Sequence, residues 1–138
     1  MRLTDGLRLE PGRIAAFVGA GGKTSAIRRL VSEAAGTWPL LITTTTKFAQ
    51  AQSDLAPEQI ILEAGASIEG VRERLAGGGA LLVTGPLSVH EAKWTAPPGG
   101  TLHMLLAMVR ELGGVALIEA DGARGRSLKA PATHEPVI

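Results

Sequence analysis

Apolar and polar positions alternate along this chain in two distinct rhythms. Short apolar runs of strand length fall at residues 13–18, 40–42, 59–63, 80–84 and 115–118. The first is apolar from Ile14 to Val18 almost without interruption, a pattern that suits a strand buried on both faces of a sheet. Between the runs, apolar residues recur at helical spacing. Ala26, Ile27, Leu30, Val31 and Ala34 form one stripe stopped by Gly36; Ile68, Val71 and Leu75 form a second within residues 67–76. Leu102, Leu105, Leu106, Val109 and Leu112 form a third, with Thr101 placed to cap it and Gly113-Gly114 to end it. Residues 7–10 have the pattern of a short edge strand closed by Pro11-Gly12, residues 49–57 read as a loop or short helix, and residues 89–100 read as irregular. Strands that alternate with helices predict an α/β fold: a mostly parallel sheet in a three-layer arrangement, with ligands at the carboxyl ends of the strands.

Composition narrows this little. At 138 residues the chain predicts one domain, residues 1–138, with a real core. A net charge of +1 gives no argument for nucleic acid or an anionic membrane surface as partner. The absence of cysteine excludes disulfides, thiolate metal sites and a cysteine nucleophile. No run approaches the roughly 18 apolar residues of a membrane span, and residues 1–6 lack the apolar centre of a signal segment, so the expected location is the cytoplasm.

The first chemistry lies between the first strand and the first helix, at Phe17-Val18-Gly19-Ala20-Gly21-Gly22-Lys23-Thr24-Ser25. Strand, glycine-rich turn, Lys-Thr and helix is the order of a phosphate-binding loop. Glycines let backbone N–H groups approach phosphate oxygens, and the new helix adds its unpaired N–H groups and positive dipole end. Gly19, Ala20, Gly21, Gly22, Lys23, Thr24 and Ser25 are therefore candidate nucleotide contacts; Lys23 would reach the β/γ-phosphates, and the Thr24 hydroxyl would bind Mg²⁺. The full pattern asks for a glycine where Phe17 stands, so either Gly19 opens a shorter loop or the first loop residue is not glycine. A dinucleotide fingerprint fits worse, because the third glycine is missing and the region about 20 residues on is rich in threonine instead of acid.

The second chemistry lies at two other strand ends. Glu119 and Asp121 close the last apolar run; two residues apart on a strand, they point to one side. An acid there is the usual partner of a phosphate loop, holding Mg²⁺ opposite the loop threonine. Asp121 is the candidate metal ligand and Glu119 the candidate ligand or base, and the two could be exchanged. Thr43, Thr44, Thr45 and Thr46 end the strand after the first helix, where one hydroxyl could complete the metal or γ-phosphate contact; Thr44 and Thr45 are the candidates. Four threonines also suit a β-strand for local reasons. Lys47 and Arg124 are candidate phosphate contacts, and Arg126 and Lys129 share the loop of Arg124; a solvated basic loop is the alternative. His134-Glu135 has metal-binding atoms, but one pair makes no site, and a structural or substrate role is favoured.

The loop, the run Ile42-Thr43-Thr44-Thr45-Thr46-Lys47, Glu119-Ala120-Asp121-Gly122-Ala123, Leu128-Lys129-Ala130-Pro131 and His134-Glu135-Pro136-Val137-Ile138 together resemble the YqeC family, accessory proteins of selenium-dependent molybdenum hydroxylases. The resemblance implies a P-loop NTPase-like fold and a role in maturing a molybdenum hydroxylase or its cofactor. Family members continue past the His-Glu-Pro-Val-Ile segment, so a shortened C-terminus is expected here, with an open sheet edge that favours a homodimer. The expected function is Mg²⁺-dependent binding of ATP or GTP, with hydrolysis or phosphoryl or nucleotidyl transfer. In that reading Lys23, Glu119 and Asp121 are catalytic, and Thr24, Glu119 and Asp121 hold the metal. The alternative is a nucleotide-gated chaperone or cofactor-delivery protein without turnover. The lack of an Asn-Lys-x-Asp guanine signature leans towards ATP.

Overall fold

A computed structural model of the chain describes residues 1–19 and 21–120. Five parallel strands form its sheet: β1 (Ile14–Phe17), β2 (Leu40–Thr44), β4 (Glu58–Ile61), β5 (Ala80–Thr84) and β8 (Val115–Glu119), in the order β1-β8-β2-β5-β4. Because side chains alternate across a strand, each central strand feeds two cores. Leu40, Ile42, Leu82, Val115 and Leu117 face α2 (Lys23–Ala34) through its buried Ile27, Leu30 and Ala34. Leu41, Leu81, Val83 and Ala116 face α3 (Glu69–Ala76) and α4 (Thr101–Glu111) through Val71, Leu75, Leu105, Met108 and Val109. The layers are therefore helix, sheet, helices. Each fully buried Leu, Ile or Val contributes about 1.5–3 kcal/mol relative to exposure.

Four expectations need correction. Residues 7–10 form no strand; a short helix α1 (Leu3–Gly6) precedes them, and the backbone N–H and hydroxyl of Thr4 bond Glu33 of α2 at 3.0 and 3.4 Å. Side-chain reach to a carboxylate on a neighbouring helix outweighs the weak two-residue alternation. β1 is not buried on both faces: among the described residues it pairs with β8 alone, and its residues are half-buried or exposed. Its apolar run reflects an edge whose side chains reach only partly covered ground, including a groove of about 510 Å³ lined by residues 7–9 and 13–18. Thr101 opens α4 without capping it; the cap position is Gly100, in the left-handed region at φ 82°.

The fourth correction concerns residues 89–100, which contain regular structure. The two-residue strands β3 (Phe48–Ala49), β6 (Leu87–Ser88) and β7 (Lys93–Trp94) form a small antiparallel sheet in the order β3-β7-β6. The fully buried Phe48 and the largely covered Trp94 fasten it to the α2 side of the core. Strands this short have no periodicity to read. Between β3 and β4 lies a 3₁₀ helix, Gln50–Leu55, in the stretch expected to be loop or short helix.

Candidate functional site

Parallel strands end on one side, and the register brings three ends level: Phe17 of β1 pairs with Glu119 of β8, and Glu119 with Thr44 of β2. The chain leaves β1 at Val18, turns through Gly19 at φ 114° and Gly22 at φ 76°, and enters α2 at Lys23. Both glycines hold backbone conformations that L side chains rarely adopt, the reason glycine stands at these two points. The open N–H groups of the first turn of α2 thus sit beside the ends of β1 and β8. Ala20 lies outside the described residues.

Lys23 folds back over the loop, its Nζ donating to the Gly19 carbonyl at 2.7 Å. Its charge acts on Glu119, which is buried at 8% exposure. Burial pushes the Glu119 carboxyl above its ordinary value, while the Lys23 ammonium and the Thr24 hydroxyl pull it back. Oε2 of Glu119 is buried and, among the described residues, has no hydrogen-bond partner. A buried acceptor left unmade costs about 1–3 kcal/mol, more when charged, so this oxygen asks for a cation or a donor.

Lys23, Thr24 and Glu119 are therefore brought together, as the sequence expected. The threonine run plays two parts. Thr44 is buried and donates to the Glu119 carbonyl at 2.9 Å, while its Oγ1 accepts from the Thr46 N–H at 3.0 Å; Thr43 donates to the Val83 carbonyl at 2.8 Å. These hydroxyls fix strand ends. Thr45 is exposed; its backbone N–H donates to the Glu119 carbonyl at 3.1 Å and its hydroxyl to the Ala120 carbonyl at 3.2 Å. Lys47 is ion-paired with Glu91, whose carboxyl is held below its ordinary value by Lys47 first and then by Ser88. Gly21 and Ser25 are exposed on the loop and the first turn of α2. Asp121, Arg124, Arg126, Lys129, His134 and Glu135 lie outside the described residues.

One residue of the site escaped the sequence reading. Gln52, on the 3₁₀ helix, donates from Nε2 to the Thr24 hydroxyl oxygen at 2.6 Å. No motif carries it; the sole signal was an amide in the segment that follows the threonine run.

The donor set fits Mg²⁺. That ion is commonly held by one or two carboxylates together with substrate phosphates and waters. One hydroxyl and, among the described residues, one orphaned carboxylate oxygen lie beside the glycine loop, and among those residues no cluster of three or more acidic or imidazole ligands occurs. No described helix is long and apolar enough to cross a membrane.

A family model described as YqeC protein matches residues 15–138. No curated protein and no solved structure matches the chain.

Proposed function

The chain belongs to the YqeC family, and we propose that it binds a nucleoside triphosphate, ATP or GTP, with Mg²⁺ at the loop of residues 19–25. The reading extends to turnover of that nucleotide, by hydrolysis or by phosphoryl or nucleotidyl transfer, in the cytoplasmic maturation of a selenium-dependent molybdenum hydroxylase. The observation that supports it most is the buried Oε2 of Glu119, which has no partner among the described residues, beside Thr24 and Lys23.

The chain's own groups divide the work. The loop amides and the first turn of α2 take phosphate oxygens, and the Lys23 ammonium, now on the Gly19 carbonyl, swings to the β/γ-phosphates. Thr24 and Glu119 hold the metal, with Asp121 as a further ligand or as the group that orients the nucleophile. Bound there, Mg²⁺ would neutralise charge on the phosphate oxygens. Thr44 and Thr45 hold the Glu119 backbone in place, with the exposed Thr45 nearer to solvent and to a γ-phosphate role. Lys47 and Arg124 stand as further phosphate contacts once Lys47 leaves Glu91.

A nucleotide panel by thermal shift, with and without Mg²⁺, tests the reading. The expected result is stabilisation by triphosphates that grows with Mg²⁺; no shift with any nucleotide overturns it. A steady-state turnover assay in the presence of the client hydroxylase then separates an enzyme from a nucleotide-gated delivery protein.

A further inference from the structure

A threonine hydroxyl carries one proton and two lone pairs and rotates about its C–O bond. Left to rotate, it presents a lone pair to a cation only part of the time. At Thr24 that freedom is restricted from outside the loop. Gln52 Nε2 donates to Oγ1 at 2.6 Å, which occupies one lone pair. An amide N–H₂ can only donate, so this bond has one direction. The hydroxyl proton stays available to the Glu119 carboxyl, which the Thr24 hydroxyl helps to hold down, and a single lone pair stays free.

Gln52 is held where it can do this. Its 3₁₀ helix spans only Gln50–Leu55, yet four separate groups fasten it. Gln50 N–H donates to the Ala92 carbonyl at 3.0 Å, and Trp94 Nε1 donates to Ser53 Oγ at 2.8 Å. Arg28 of α2 pairs with Asp54 at 3.0 Å, and Leu55 is buried in the core. The small sheet β3-β7-β6 supplies one of these four anchors, Trp94, and Ala92, the residue before β7, supplies another.

We propose that Gln52 is a positioning residue for the divalent cation: its amide, carried on a helix braced by β7 and α2, fixes the Thr24 hydroxyl so that one lone pair is reserved for the metal. The inference rests on the nucleotide reading above and deepens it. It also gives the β3-β7-β6 sheet a task, since the sheet sets where Gln52 stands. Groups that orient a metal ligand in this way typically change metal affinity by about 10–100-fold when removed.

The test is calorimetry of ATP and GTP binding, each with and without Mg²⁺. The readout is the ratio of the two affinities, in the parent, Gln52→Met, Thr24→Ala and the double variant. Gln52→Met keeps the length of the side chain and removes its donor. The parent should bind nucleotide more tightly with Mg²⁺, and Gln52→Met should cut that gain about tenfold. In the Thr24→Ala background, Gln52→Met should cut nothing more, because the amide acts through the hydroxyl. A Gln52→Met chain with the parent's Mg²⁺ gain overturns the inference and leaves the nucleotide reading standing. So does a second loss of equal size in the Thr24→Ala background. A parent that binds nucleotide with no Mg²⁺ gain overturns the metal reading and this inference together. Should Gln52→Met fail to fold, Gln52→Leu carries the same expectation and the same overturning result.

Discussion

β8 and β5 flank β2 in one sheet, and both end in a buried polar residue, yet their ends are built to opposite effect. At β5 every group is answered from within the chain. The Thr84 hydroxyl accepts from Gln59 Nε2 at 2.9 Å, its carbonyl accepts from Leu62 N–H at 2.8 Å, and Gly85 N–H donates to the Thr95 carbonyl at 2.8 Å. The segment at Thr95 and Ala96 lies so close over Gly85 that a Cβ there would stand 2.2 Å from the Ala96 carbonyl oxygen. At β8 the Glu119 backbone is equally well answered, but its carboxylate keeps a buried oxygen without a partner among the described residues. One end is sealed by structure. The other retains an unfavourable group, which native sheets rarely tolerate without a ligand to answer it. The contrast favours the ends of β1, β8 and β2 over that of β5 as the ground of the proposed site.

Breaking the sealed end should have the largest effect on the fold. Gly85→Ala forces the Ala96 carbonyl and the Thr95 hydroxyl aside and should destabilise by about 3 kcal/mol in denaturant unfolding. If the contrast is right, the folded fraction of that variant binds nucleotide as the parent does. At the open end, Lys23→Ala should weaken nucleotide binding about a hundredfold, roughly 2.7 kcal/mol, with the circular dichroism spectrum unchanged. Calorimetry checks it, and parent affinity in the variant would sink the loop assignment.

Glu119→Gln sharpens the comparison from the other side, because the two ends predict opposite signs. Removing a buried charge without a partner should stabilise the chain by about 1 kcal/mol, a few degrees in Tm, while the Mg²⁺ response of nucleotide binding is lost. The pH dependence follows. A carboxyl whose folded value is raised binds its proton more tightly in the folded state, so the parent loses stability as pH rises from the ordinary carboxylate range through the raised value. Glu119→Gln should remove that slope.

The smallest effect lies far from both ends. Glu33 is held at about 2, first by the Arg29 side chain and then by the Thr4 N–H. A depressed carboxyl stabilises above its unfolded value and loses that contribution as pH falls towards the folded one. Between pH ~4.5 and ~2 the parent should therefore lose stability that Glu33→Gln never had, and unfolding curves of the two chains should converge at the acid end.

The periodic elements were legible because they follow from burial. Each sheet strand falls within a residue or two of its apolar run, and Val71 and Leu75 of α3 and Leu105 and Val109 of α4 are buried as their stripes predict. Met108 joins them although it lay off the expected stripe. Strand order was not legible. Nothing in residues 14–17 says that β8, almost a hundred residues later, inserts between β1 and β2. Of the candidate site, Lys23, Thr24 and Glu119 stand out in the sequence because a strand, glycine turn and helix in series and an acid at a strand end have recognisable patterns. The bond from the Thr44 hydroxyl to the Glu119 carbonyl was not legible, because it appears only when β2 and β8 lie side by side. Gln52 was invisible for the same reason.

The indole of Trp94 rests on Ser53, the residue next to Gln52, while the chain's other tryptophan, Trp38, sits in the turn before β2 at the opposite end of the sheet. The protein thus carries its own fluorophore against the segment that touches Thr24. With Trp38→Phe, emission from Trp94 alone becomes an optical gauge of that segment, readable in a stopped-flow mixing experiment with no label attached.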